Sequence, residues 1–164
     1  MELLRFRKRF VDKHQLLSKI HEILPTSAVE IRRFGREGPL SLWIEVQSLL
    51  RLCTFLKQDS ELQLDLLEHL SVAEFEKVLV GTYFLRSYQT QEQLILRISL
   101  IPAASEAWVE VDSVVSVWPM AEPMEREMQE MFGIRFLGLP VGPRFLPEYQ
   151  GFVLRKGALP GAFT

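Results

Sequence analysis

The side chains most able to do chemistry crowd into MEREMQEMFGIRF, residues 124–136, where Glu125, Arg126 and Glu127 run in succession and Glu130 follows one turn later. Carboxylates three residues apart share a helix face. A pair held in unlike surroundings can divide the work of general acid and general base, which would make Glu127 and Glu130 the candidates of a hydrolase. Such a site must be concave and must split the two pKa values. No histidine is near them in sequence, and a polar helix face explains both residues without catalysis.

Other candidates are sparse. His14 and His21 lie two helical turns apart, about 10 Å, too far for one metal ion, and His69 is remote from both. Cys53 is the only cysteine and sits in LLRLCTFL, where a thiol serves as a small hydrophobe. One cysteine cannot hold an iron–sulfur cluster, and no Gly-x-Gly-x-x-Gly or Walker pattern offers a nucleotide site. No Gly-x-Ser-x-Gly elbow is present either. Metal and cofactor are therefore both expected to be absent.

These residues need elements to position them. Leu3, Phe6, Phe10, Leu17, Ile20 and Leu24 recur at three-four spacing, predicting an amphipathic helix over 2–24 that closes at Pro25, with Lys13 interrupting its apolar stripe. AVEIRRF and LSLWIEV read as strands joined by the Gly-Pro turn between them. Ser48 is a candidate cap for a helix through about Lys57. LQLDLLEHL fits either helix or strand, whereas KVLVGTYFLRSY and QLILRISLI are clear strands. Pro123 would open the acidic helix at its first position, with Glu122, Glu125 and Glu127 near the positive end of its dipole. Met124, Met128 and Met131 would form the apolar face, and Arg126 could pair with Glu130 four residues on. Gly133 would end the helix in the left-handed conformation, and IRF would follow as a short strand. The sum is a single α+β domain over 1–164: an N-terminal helix, a mixed or antiparallel sheet of about four to five strands, then a C-terminal helix and an extended tail over 141–164.

Composition narrows the class. The 164 residues are 48% hydrophobic and 24% charged, as in an ordinary globular domain. No apolar run approaches the roughly 18–20 residues of a membrane span, and charges interrupt the N-terminus where a signal peptide needs an apolar core. Residues 1–36 carry nine Lys/Arg against four Asp/Glu, while 37–112 carry five against twelve. A basic lead on an acidic body suggests electrostatic contact with a partner. Arg5, Arg7, Lys8 and Arg9, interleaved with Phe6 and Phe10, also admit a nucleic-acid-binding module. The tail, with Phe145, Tyr149, Phe152 and Phe163, would be laid across a partner through its aromatics.

Residues 113–140, SVVSVWPMAEPMEREMQEMFGIRFLGLP, resemble the signature of the 30-kDa subunit of respiratory complex I, the proton-pumping NADH:quinone oxidoreductase. The matching residues are Ser113, Val114, Trp118, Ala121, Glu125, Arg126, Glu127, Phe132, Gly133, Ile134, Phe136, Gly138 and Pro140, without a gap. Gly151 with Leu154, Arg155 and Lys156 is similar to the family's closing segment, and Arg144 matches one of its arginines. LQLDLL, VGTYFLRS and LRISLIP resemble its successive strands, so the likeness runs from about residue 62, while 1–60 match poorly. Leu139 stands where the family has His, and Glu130 where it has Asp.

The resemblance implies a non-catalytic subunit without a cofactor of its own, in the peripheral arm on the cytoplasmic face of the membrane. It would scaffold the hydrogenase-large-subunit-like partner that forms the quinone pocket and the small iron–sulfur subunit. Equivalent subunits occur in membrane-bound hydrogenases and formate hydrogenlyases, which gives a second host of the same type. The motif residues from Trp118 to Lys156 would then serve docking.

Overall fold

The computed structural model describes residues 13–24, 30–33, 38–102, 108–143, 152 and 154. In chain order these form α1 (Lys13–Ile23), β1 (Glu30–Arg33), β2 (Leu40–Ile44), a 3-10 turn (Val46–Ser48), α2 (Leu49–Gln58), β3 (Leu66–Phe75), β4 (Val78–Arg86), β5 (Gln93–Leu100), β6 (Val109–Asp112), α3 (Ala121–Phe132) and β7 (Ile134–Leu137). Five strands make one mixed sheet, in the order β1-β2-β5-β4-β3, and β6 with β7 makes a second, parallel one. The domain is α+β, as the sequence predicts.

Only β2 and β5 run parallel within the larger sheet; its other neighbours are antiparallel. The parallel pair needs a long crossover, which the chain from α2 through the β3–β4 hairpin supplies. Strand alternation sets the core. Ile31, Leu42, Leu96, Tyr83 and Leu70 stand opposite one another in one row, one from each strand, and all five are buried. Leu16 and Ile20 of α1 and Leu49, Leu52, Cys53 and Leu56 of α2 belong to the same buried cluster. LQLDLLEHL resolves into the lead to β3 and its first half: Leu67 and Leu70 point inward while Glu68 pairs with Arg86 of β4.

Several local expectations change. The predicted helix over 2–24 is described from Lys13; residues 1–12, with the basic run from Arg5 to Arg9, and Pro25 lie outside the described residues. Its buried stripe is Leu16 and Ile20, with Leu17 at the flank. Ser48 does precede α2, but it has helical φ and ψ and its side chain makes no cap, because the 3-10 turn feeds the helix directly. Pro123 is the third residue of α3, not its first; a proline is tolerated there too, since the first-turn N–H groups have no helical partner. Strand β6 went unpredicted, although WVEVD alternates as a strand should.

Candidate functional site

β6, α3 and β7 form one βαβ unit, and α3 carries the charged motif at its centre. The buried face of α3 is Ala121, Glu125, Met128 and Phe132, at four-three-four spacing. Met124 and Met131 only flank it, half-buried. Glu125 therefore occupies the middle of the apolar stripe. Its side chain is fully buried (0% exposed). Ser113 Oγ–H donates to Oε2 at 2.5 Å and the Val114 N–H donates to Oε1 at 2.7 Å. Burial raises the Glu125 pKa from 4.5 to about 7, against the lowering effect of those two hydrogen bonds. The carboxyl thus pins the turn that leaves β6. It is a structural brace, held by these two hydrogen bonds in addition to its expected place near the positive end of the helix.

The same turn is anchored on α2 and on the connection from it to β3. Trp118, 1% exposed, donates its indole N–H to the Leu64 carbonyl at 3.1 Å. The Lys57 ammonium at the end of α2 donates to the Val117 carbonyl. Cys53 and Tyr83 are buried near the Glu125 carboxyl, whose field adds to burial in pushing both pKa values up. The thiol stays protonated, in line with its reading as a small hydrophobe.

Arg126 faces the other way and holds the exit segment. Its guanidinium pairs with Glu122 at 2.7 Å and donates to the Pro140 carbonyl at 3.1 Å. Gly142 passes so close that an added Cβ would lie 2.6 Å from Cζ. The expected Arg126–Glu130 pair is replaced by Glu122, one turn back. Glu130 is buried (7% exposed) rather than on the polar face, while Glu127 is exposed. The two carboxylates thus stand in different environments, one in solvent and one buried.

At the C-terminus of α3, Gly133 has φ +69° and its N–H bonds to the Gln129 carbonyl, the expected left-handed cap. The Phe152 ring fills the space beside it, 2.6 Å from where a Cβ would stand, and packs edge-on against Trp108 with centroids 4.7 Å apart. The Leu154 N–H donates to the Met131 carbonyl. Ile134 and Phe136 bury their side chains inward from β7, Gly138 turns at φ +90°, and Arg135 pairs outward with Glu110. Among the described residues, the chain beyond β7 thus meets α3 at Arg126 and again at its C-terminal end, around Met131 and Gly133.

Known proteins resemble this chain in sequence and in fold. The family described as respiratory-chain NADH dehydrogenase, 30 Kd subunit, matches residues 42–159. The chain belongs to that family. The C subunit of NADH-quinone oxidoreductase from Roseiflexus sp. (strain RS-1) is 31% identical over 163 residues, covering 94% of this chain and 90% of the relative. Its counterpart of the same name from Acidothermus cellulolyticus is 33% identical over 125 residues, covering 73% of this chain and 63% of that protein. A chain from the membrane-bound sulfane sulfur reductase, an archaeal respiratory membrane complex, superposes with a TM-score of 0.63 at 17% identity, covering 82% of this chain and 74% of that one. That likeness shows the fold.

The 30-kDa family match starts at residue 42, and the Roseiflexus alignment covers nearly the whole chain, so the likeness reaches well upstream of the expected residue 62. Of the motif residues, Trp118, Glu125, Arg126, Phe132, Gly133, Ile134 and Phe136 are brought together as the braces and core of the βαβ unit. Glu127, Gly138 and Pro140 are not buried, and neither is Leu154, which is exposed at the helix end. Arg144, Arg155 and Lys156 lie outside the described residues, as do the tail aromatics other than Phe152. Sequence reasoning missed Lys57, whose ammonium reaches a backbone carbonyl sixty residues away, and Leu64, which contributes only its own carbonyl; neither partner has a local signature.

Proposed function

We propose that this chain is a non-catalytic peripheral-arm subunit of a complex I-like NADH:quinone oxidoreductase. The βαβ unit sets the shape of a docking surface for the quinone-site subunit and the small iron–sulfur subunit. The carrying observation is the division of labour in the Glu-Arg pair. Glu125 fixes the entry to α3 from below, and Arg126 fixes the exit segment by its backbone. Chemistry at this motif is absorbed by structure, because Glu125 and Arg126 spend their hydrogen bonds on the protein itself. Glu127 is exposed and Glu130 buried, a difference that supports the structural reading over a shared catalytic one.

Attachment to the membrane would be through partners: no helix among the described residues is long and apolar enough to cross it. The cytoplasmic face is the expected side. The equivalent place in a membrane-bound hydrogenase or formate hydrogenlyase is the second host this fold would suit. Affinity purification of the tagged full chain from detergent-solubilised membranes tests the proposal. Recovery of a quinone-site subunit and an iron–sulfur subunit in fixed proportion is expected. A chain that elutes alone would overturn it.

A further inference from the structure

The turn that leaves β6 holds a hydrogen-bond arrangement that one proton can change. Ser113 Oγ stands between two groups: the Val115 N–H donates to it at 3.2 Å, and Glu125 Oε2 lies 2.5 Å away. Oε1 accepts from the Val114 N–H at 2.7 Å. The Val114 carbonyl in turn accepts from the N–H groups of Val117 and Trp118, at 2.9 and 2.8 Å. Glu125 therefore acts on a residue bonded to the far half of the turn, where the Val117 carbonyl and the Trp118 indole are anchored separately.

Donors and acceptors can be counted in both protonation states. An ionised carboxylate only accepts, whereas a hydroxyl has one donor and two acceptor positions. With Glu125 ionised, Ser113 Oγ–H and Val114 N–H both donate to it and Val115 N–H donates to Oγ, so every donor has an acceptor. With Glu125 protonated, its own O–H needs an acceptor. The Val114 N–H cannot serve, and Ser113 Oγ can. The bond between the two side chains then reverses, and the Ser113 proton must turn elsewhere. The neutral carboxyl is also a weaker acceptor for the Val114 N–H.

The surroundings bring both states within reach. Burial of the carboxyl opposes its charge and the two donors favour it, a balance that falls at about 7. Arg126, next in sequence, is turned to Glu122 and the Pro140 carbonyl, and the Lys57 ammonium of α2 bonds the Val117 carbonyl. Cys53 of α2 and Tyr83 of β4 lie near the carboxyl and hold their own protons more tightly than usual. β3 turns Leu67 and Leu70 inward, with Glu68 paired to Arg86. On β6 and β7, Glu110 and Arg135 pair outward and Asp112 is half-buried; on α3 itself Glu130 is buried and Glu127 exposed.

We propose that Glu125 and Ser113 form a proton-operated switch in the βαβ unit: uptake of one proton from solvent reverses their hydrogen bond, redirects the Ser113 hydroxyl and reorders the start of the turn, Ser113 to Val115, while Lys57 and Trp118 hold its end. Ser116, Pro119 and Met120 are exposed on the same turn. On the docking reading above, a partner seated there would favour one protonation state, and its affinity would change with pH. The switch itself belongs to the isolated chain and is tested there, apart from that reading.

The test is NMR of the isotopically labelled full chain from pH 5 to 9, read at the Glu125 side-chain carboxyl carbon and at the backbone amides of Val114 and Val115. All three should shift with one midpoint near 7. In Glu125→Gln the side-chain NH2 donates to Ser113 Oγ as the protonated carboxyl does. Its two amides should not titrate, and at pH 8 they should lie on the acid side of the wild-type curve. Ser113→Ala removes a donor to the carboxylate and should raise the carboxyl midpoint by about 1–2 pH units. Val115 should then stop following it, because it feels the proton only through Oγ. Should that variant not fold, the wild-type and Glu125→Gln titrations decide. Four results would overturn the inference: a carboxyl midpoint in the ordinary carboxylate range, amides that stay still while the carboxyl titrates, the same amide titration in Glu125→Gln, or an unchanged or lowered midpoint in folded Ser113→Ala.

Discussion

Replacing Glu125 by Gln isolates the energetic consequence of burying a carboxyl in the apolar stripe of α3. The amide is nearly isosteric: its oxygen can accept from the Val114 N–H and its NH2 can donate to Ser113 Oγ. What is removed is titration. The Glu125 pKa is about 7 in the folded chain against 4.5 as the ordinary value, because burial penalises the charge. A folded-state pKa raised in this way makes the protein more stable below pH 4.5, with that stability lost progressively as pH rises from about 4.5 to 7. At 1.36 kcal/mol per unit, the ionised carboxylate costs roughly 3 kcal/mol at pH 8. For a chain of this size that corresponds to a melting temperature about 6–12 °C lower than without the cost. Thermal unfolding of both proteins from pH 5 to 8 is the assay. The wild type should lose stability relative to Glu125→Gln as pH rises, with the divergence complete near pH 8. Asp59 contributes the opposite dependence. Burial raises its pKa, but the Lys19 hydrogen bond and two backbone N–H groups outweigh that and lower it, so its stability is lost only as pH falls below the ordinary carboxylate range. It is common to both proteins and cancels. Parallel curves across pH 5–8 would refute the buried, titrating carboxyl.

Other substitutions read the remaining contacts. Gly133→Val should destabilise by ~3 kcal/mol, from left-handed strain and displacement of the Phe152 ring, whereas Gly138→Ala, at φ +90° with open space around it, should cost only ~1 kcal/mol; equal losses in denaturant unfolding would dismiss the Phe152 contact. Trp118→Phe strands the Leu64 carbonyl and should cost ~1–2 kcal/mol by the same measurement. Arg126→Met should free the Pro140–Gly142 segment, and limited proteolysis should then cut between Gly138 and Pro143; a cleavage pattern like the wild type's would show that the guanidinium does not hold it. Cys53 should resist iodoacetamide until the chain unfolds, and rapid labelling under native conditions would contradict its burial.

Where the sequence was legible, periodicity carried it. The alternation of β4 and β5, the cap at Gly133 and the strand after it came from local rules that tertiary structure did not override. The site was less legible because its decisive feature is a choice between two adjacent helix faces. Methionines at 124, 128 and 131 look like the buried stripe, yet Ala121, Glu125, Met128 and Phe132 take that place. A carboxylate is expected to avoid such a position. Only Ser113 and the Val114 N–H, brought near by folding, make it tenable. Glu130 was misplaced for the same reason: its burial depends on packing that no spacing rule records. The Arg126 partner depended on rotamer direction, which favoured Glu122 over Glu130. The parallel β2–β5 pairing joins segments some fifty residues apart, and nothing local announces it.

The central claim is that the chain supports electron transfer by holding other subunits and performs none itself. Its most direct test is membrane NADH:quinone reductase activity in cells deleted for this chain, measured with the level of assembled complex, beside the same assay on the purified chain. Deletion should abolish both assembly and activity, the wild-type chain should restore them together, and the purified chain should turn over nothing. Quinone reduction by the purified chain, or an intact and active complex in its absence, would contradict that claim.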